Sequence, residues 1–146
     1  MKGFNFYQDA AKEWRWNLKD GDNNIVADSA EGYKHKADCE KGAALFTTLG
    51  PDAPVRKIVE PDTSGNGPEW EYYEDKASKW RWRFQAKNNK ILADSSKGYD
   101  NESIVQSVIK DVKALLSDIG SKSNSGSTGA YIPPVSGGKE SGGRFA

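Results

Sequence analysis

The sequence predicts an α+β fold: tandem β-β-β-α(-β) repeats forming one antiparallel sheet, two helices on one face, and a pseudo-twofold axis relating the halves. Three observations predict it: an internal duplication, short alternating runs punctuated by turn residues, and one broad amphipathic stripe late in each copy. Residues 4–16 line up with residues 70–82 at an offset of 66, and the match holds without a gap to Gly32-Tyr33 and Gly98-Tyr99, with 13 of 30 aligned pairs identical. A constant offset of that quality marks a duplication. One unit of three strands and a helix lies near the lower size limit for independent stability. Two units laid edge to edge bury a shared core, as the subunits of a symmetric dimer would.

Each element follows from local pattern. Phe4 and Phe6 alternate with Asn5 and Tyr7, the period of a strand. Asp9–Glu13 is a hairpin connection and Trp14–Leu18 a second strand. Asp20-Gly-Asp-Asn23, and Lys87-Asn-Asn-Lys90 in the second copy, are turns. Ile25–Ala27 and Ile91–Ala93 begin third strands that end near Asp28-Ser29 and Asp94-Ser95, before Gly32 and Gly98 break the chain. The first helix spans about 36–49, with Cys39, Ala43, Phe46 and Leu49 on its stripe. After Gly50-Pro51, Val55–Val59 is a fourth strand, and the linker is long enough to let it cross to the other repeat. The second helix carries Val105, Val108, Ile109, Val112, Leu115, Leu116 and Ile119 at three- and four-residue steps, with Ile104 at its head. Asp100 or Asn101 is its N-cap and Gly120 its stop. No fourth strand follows at the same offset, because 121–125 is polar. Tyr131-Ile-Pro-Pro-Val135 is the late candidate, its prolines confining it to an edge or an irregular stretch. The organisation is therefore repeat 1 over 1–60, a turn-rich linker over 61–68, repeat 2 over 69–119, and a Gly/Ser-rich tail over 120–146. With seven glycines and almost no large apolar residue, the tail is expected to be mostly disordered and to act as a solubilising end.

Composition removes several classes of function. The 146 residues carry 21 basic and 21 acidic side chains, so no global charge draws the chain to nucleic acid or anionic lipid. One Cys and one His rule out an intrachain disulfide framework and a Cys/His metal cluster. Neither a secretory leader nor an apolar run of membrane-spanning length is visible, and a cytoplasmic monomer with an internal pseudo-dimer is expected. No phosphate-binding glycine loop links a strand to a helix, and no cofactor is expected.

Period-two alternation sends Trp14, Trp16 and Leu18, with Trp80, Trp82 and Phe84, to one face, beneath the helices. Arg15 and Asn17, with Arg81 and Arg83, face the other way. Tyr7 and Tyr73 lie beside Arg15 and Arg81 on that open face, and Asp28 and Asp94 arrive from the third strands. Aromatic, guanidinium and carboxylate groups together suit recognition of a protein, a peptide or single-stranded nucleic acid. The plainer reading makes Arg15–Asp28 and Arg81–Asp94 ordinary cross-strand pairs on a solvated face. Asp28-Ser29 and Asp94-Ser95 invite comparison with an acid beside a nucleophile, yet the one imidazole, His35, has Asn101 as its counterpart; turn chemistry before the helix is the simpler role.

Trp-Arg-Trp on the second strand, then Ile-(Val/Leu)-Ala-Asp-Ser and Gly-Tyr before a helix, repeated in tandem, resembles the YegP-like family of uncharacterised proteins over residues 4 to about 119. The resemblance implies a β-β-β-α-β unit with exchanged terminal strands, and no particular activity. The function expected is a non-enzymatic binding or assembly module with a protein partner, contacting it through Tyr7, Arg15, Asp28, Tyr73, Arg81, Arg83 and Asp94. Single-stranded nucleic-acid binding through the Arg/Tyr face, aided by Lys79 and Lys87, is the alternative. A small enzyme using the Asp/Tyr pairs is the third.

Overall fold

A computed structural model describes residues 3–59 and 66–125, the last four of these as backbone only. Hairpin β1 (Gly3–Gln8) and β2 (Trp14–Lys19), then β3 (Ile25–Ser29) and helix α1 (Lys36–Leu49), make the first repeat. A single 3-10 turn, Gly50–Asp52, leads to β4 (Val55–Lys57). The second repeat follows as β5 (Glu69–Glu74), β6 (Trp80–Gln85), β7 (Ile91–Asp94) and α2 (Glu102–Ser125). The strands form one seven-stranded sheet in the order β1-β2-β3-β7-β6-β5-β4. The repeats meet at β3 and β7, where Asp28 pairs with Asp94 and Ser29 with Ala93. β4 leaves its own repeat and lies on the far edge, beside β5 of the other.

The sheet departs from the expected all-antiparallel layer at that edge: β4 runs parallel to β5. The chain reaches this edge through a helical crossover, and only hairpin connections force neighbouring strands to run opposite ways. α2 also runs through Gly120, the expected stop, to Ser125. A glycine inside a helix costs only about 1 kcal/mol, and once a long amphipathic helix is nucleated each further residue adds a hydrogen bond. The N-cap is as expected: the Asn101 side-chain oxygen accepts from the Ile104 N–H at 2.9 Å. Residues 61–65 of the linker and 126–146 of the tail, with Tyr131–Val135, lie outside the described residues.

The core is shared by both halves. Trp16, Leu18, Trp70, Trp82 and Phe84 are fully buried on the helix side of the sheet. Phe46 of α1 sits among them, 5.7 Å from the Trp16 ring, 5.4 Å from Trp70 and 5.3 Å from Phe84. Aromatic residues of one repeat thus pack on the helix of the other. α2 covers the same layer with Val105, Ile109, Val112 and Leu116, whereas Ile104 at its head stays exposed. Gly32 and Gly98 do more than break the chain. Tyr33 and Tyr99 return to bridge Trp14 and Trp80, and a Cβ on either glycine would fall 2.9 Å from the Glu13 Cβ or 2.6 Å from the Lys79 Cβ.

Candidate functional site

The face of the sheet away from the helices is where the pseudo-twofold axis emerges. In β1/β2 the register sets Tyr7 opposite Arg15 and Asn5 opposite Asn17. Their counterparts in β5/β6 are Tyr73 opposite Arg81 and Glu71 opposite Arg83. In the third strands Asp28 lies opposite Asn17, and Asp94 opposite Arg83. This two-residue stagger removes the expected Arg15–Asp28 and Arg81–Asp94 pairs. Instead each arginine reaches back to the hairpin of its own repeat: Arg15 Nε donates to Asp9 Oδ2 and Arg81 Nε to Asp75 Oδ2, both at 2.6 Å. The other carboxylate oxygen of each aspartate caps its turn. Asp9 Oδ1 accepts from the Ala11 and Glu13 N–H groups, and Asp75 Oδ1 from those of Ala77 and Lys79. These bonds hold both carboxyls below the usual carboxylate range, the arginine bond being the largest influence.

Freed from the arginines, Asp28 and Asp94 face each other across the junction of the repeats and hydrogen-bond. Burial, then the hydrogen bond to Asp28 and that residue's charge, push Asp94 up to about 8, so Asp94 holds its proton at neutral pH and donates it to Asp28. Around the pair lies a cleft of about 280 Å³ with Arg15, Asp28, Tyr73, Arg81, Asp94 and Ser96 among its lining residues. Five of the seven sequence-derived candidates therefore converge. Tyr7 and Arg83 do not line the cleft: Tyr7 stands near the β1 edge, 37% exposed, and the Arg83 guanidinium lies 5.8 Å from the Tyr73 ring centroid.

The halves differ beside the cleft. Arg83 Nε donates to Glu71, and Arg56 of the exchanged strand donates to both Glu69 and Glu71, at 2.8–3.0 Å. Both carboxylates are almost wholly buried. The matching positions in repeat 1 are Gly3, Asn5 and Asn17, so its half of the face carries no such network. Sequence reasoning missed Asp9, Asp75, Arg56, Glu69 and Glu71. Identity of the two hairpin aspartates at the common offset, and the alternation that puts Glu69 and Glu71 on the face of Tyr73, were the available signals.

The serines and His35 have other roles. Ser29 and Ser95 are buried and accept from the Trp16 and Trp82 N–H groups with their side-chain oxygens. They thus serve the sheet, not the turn before the helix. His35 is exposed at the start of α1 while Cys39 is buried, its thiol pushed up to about 12 by burial. Among the described residues no three His, Cys, Asp or Glu side chains gather as a metal site would require, and no helix is long and apolar enough to cross a membrane.

Comparison with known proteins agrees with this architecture. The UPF0339 protein NMB1088 of Neisseria meningitidis is 34% identical over 55 residues, which are 38% of this chain and 96% of that protein, so the relative is one repeat long. The solution structure of yegP from E. coli, described as a protein of unknown function, superposes with a TM-score of 0.62 at 22% identity, covering 80% of this chain and 88% of that one. UPF0339 protein SO3888 of Shewanella oneidensis gives 0.59 at 18% identity, covering 76% and 80%. The family model of DUF1508, a domain of unknown function, matches residues 9–56 and again 75–118; the chain belongs to that family, in tandem form.

Proposed function

We propose that this protein is a non-enzymatic binding module of the cytoplasm that receives a polar segment of a protein partner in the cleft at the pseudo-twofold axis. The observation that carries this reading is the convergence of Arg15, Asp28, Tyr73, Arg81 and Asp94, drawn from both repeats, on one open cleft. At about 280 Å³ it suits one or two side chains better than a drug-sized ligand, for which sites run from roughly 300 to 1,000 Å³. Nucleic acid is the weaker fit, since each arginine already has a carboxylate on its Nε, leaving little free charge for phosphates. One observation favours an acid–base enzyme: the raised Asp94 in a cleft. The hydroxyls beside it are engaged elsewhere: Ser29 and Ser95 accept from sheet N–H groups, and Ser96 donates to the Ile25 carbonyl at 3.4 Å. The test compares proteins retained from native-cell extract by the wild-type chain and by Tyr73→Ala/Arg81→Ala. A specific protein retained by the first and lost with the second is expected. Equal retention by both, or a salt-dependent shift with single-stranded oligonucleotide alone, overturns the reading.

A further inference from the structure

Around the cleft on the pseudo-twofold axis every arginine has its own carboxylate. Arg15 has Asp9 at 2.6 Å, Arg81 has Asp75 at 2.6 Å, and Arg83 has Glu71 at 2.8 Å. Asp28 and Asp94, at the junction of the repeats, have each other, and among the described residues neither forms an ion pair with a lysine or arginine. Beside them Asn17 Oδ1, opposite Asp28 in the register, is buried and accepts no hydrogen bond. Acceptors thus collect at a place where the nearby cations are already engaged. Resting on the binding reading above, we propose that the partner residue received by the cleft is a lysine, whose ammonium group bonds Asp28 and Asp94 together.

Charge decides the sign of the ligand. With the three arginines matched by Asp9, Asp75 and Glu71, the axis is left with the charge of Asp28 and, when ionised, of Asp94. An anion would enter against that charge, whereas a cation is drawn to it. Geometry decides between the two cationic side chains. The carboxyls come from neighbouring strands at paired positions, two acceptors on either side of one point. An ammonium carries three donors diverging from a single nitrogen and bonds both, whereas a guanidinium fork matches the two oxygens of one carboxylate. The cleft of about 280 Å³, with Tyr73 in its wall, has room for one long side chain, its methylene stem against the ring and its head at the carboxyls. On entry Asp94 releases its proton to solvent and both carboxylates accept from the incoming N–H groups, so one proton leaves for each lysine bound. Asp94 titrates at about 8, and below that value each unit fall in pH therefore weakens binding about tenfold. Facing Asp94 are Asp28 from β3, Arg15 from β2, Arg81 and Arg83 from β6, and Tyr73 from β5, with Glu71 of β5 beyond Arg83. The arginines and Tyr73 keep their charge between pH 6 and 8, which leaves the Asp28–Asp94 pair to set the slope.

The probe is the peptide acetyl-Gly-Lys-Gly-amide, titrated into the full chain while the backbone amide signals of Asp28, Asp94 and Ser96 are followed by NMR. Saturable shifts are expected, with a dissociation constant that falls about tenfold from pH 6 to pH 7. Asp94→Asn, its fold checked by the rest of the spectrum, should weaken binding at pH 8 about tenfold or more and abolish the pH dependence. Equal affinity for the norleucine peptide, tighter binding of the glutamate peptide, or a dissociation constant that does not change between pH 6 and 7 each overturns the proposal. Displacement of the lysine peptide by an equal concentration of magnesium chloride overturns it in favour of a metal ion. Absence of any shift, while the Tyr73→Ala/Arg81→Ala difference in retained protein persists, overturns the lysine and leaves the cleft to another side chain. Equal retention by wild type and that double variant removes the binding reading and the proposal with it.

Discussion

Replacing Asp94 with asparagine tests the carboxyl pair at the junction of the repeats. In the folded chain Asp94 is pushed up to about 8, against 3.8 for a free carboxyl. Between those values the folded state holds a proton that the unfolded state has released, so rising pH favours unfolding. The stability this group contributes is complete below about pH 4 and is lost as pH climbs through 8. Each pH unit in that window is worth about 1.4 kcal/mol at most, or on the order of 5 kcal/mol over the whole window for a sealed site. The pair lies in an open cleft and is partly exposed, so solvent screening reduces the expected loss to about 2 kcal/mol. In Asp94→Asn the amide donates permanently to Asp28 and the dependence disappears. Urea unfolding followed by tryptophan fluorescence, at intervals from pH 5 to 9, should give a falling midpoint for the wild type relative to the variant. Taking the difference between the two proteins cancels titrations elsewhere in the chain. Parallel midpoints over the whole range would refute the retention of a proton by Asp94.

Other variants probe the rest of the framework. Arg56→Met leaves Glu69 and Glu71 buried with one arginine fewer and should lower the midpoint of chemical denaturation. Phe46→Ala removes the ring that packs on tryptophans of both repeats and should cost roughly 3–5 kcal/mol. Calorimetry of that variant should still show one transition, because the core is common to both halves. Cys39, with its thiol pushed up to about 12, should react with a thiol reagent only as fast as the chain opens. Rapid labelling of the native protein would contradict its burial.

Much of the architecture was legible because it rests on periodicity. Trp16, Trp82 and Phe84 face the core as alternation requires, and the Val105–Leu116 stripe gives the buried face of α2. Register was the weak point. Alternation assigned Arg15 and Asp28 to the same face, but it does not say which residue of β2 stands opposite Asp28. That depends on the irregularity between Leu18 and Lys19, which propensity does not encode. A two-residue stagger turned two supposed Arg–Asp pairs into a carboxyl pair and two hairpin clamps. The parallel β4 edge and the continuation of α2 past Gly120 were hidden for a related reason: both depend on how distant parts of the chain meet. The convergence of five candidate residues was foreseeable only as a shared face, not as a cleft.

The contrast between the Glu71–Arg83 side and the Asn5–Asn17 side bears on what fusing two copies permits. When identical subunits associate, a substitution in the gene appears at both ends of the assembly, and a charge useful at one place is imposed on its mirror position as well. Joining the copies in one polypeptide lifts that obligation. One half can acquire a charged lock for its incoming strand while its twin drifts toward neutral side chains, and selection can then act on the two flanks of the cleft separately.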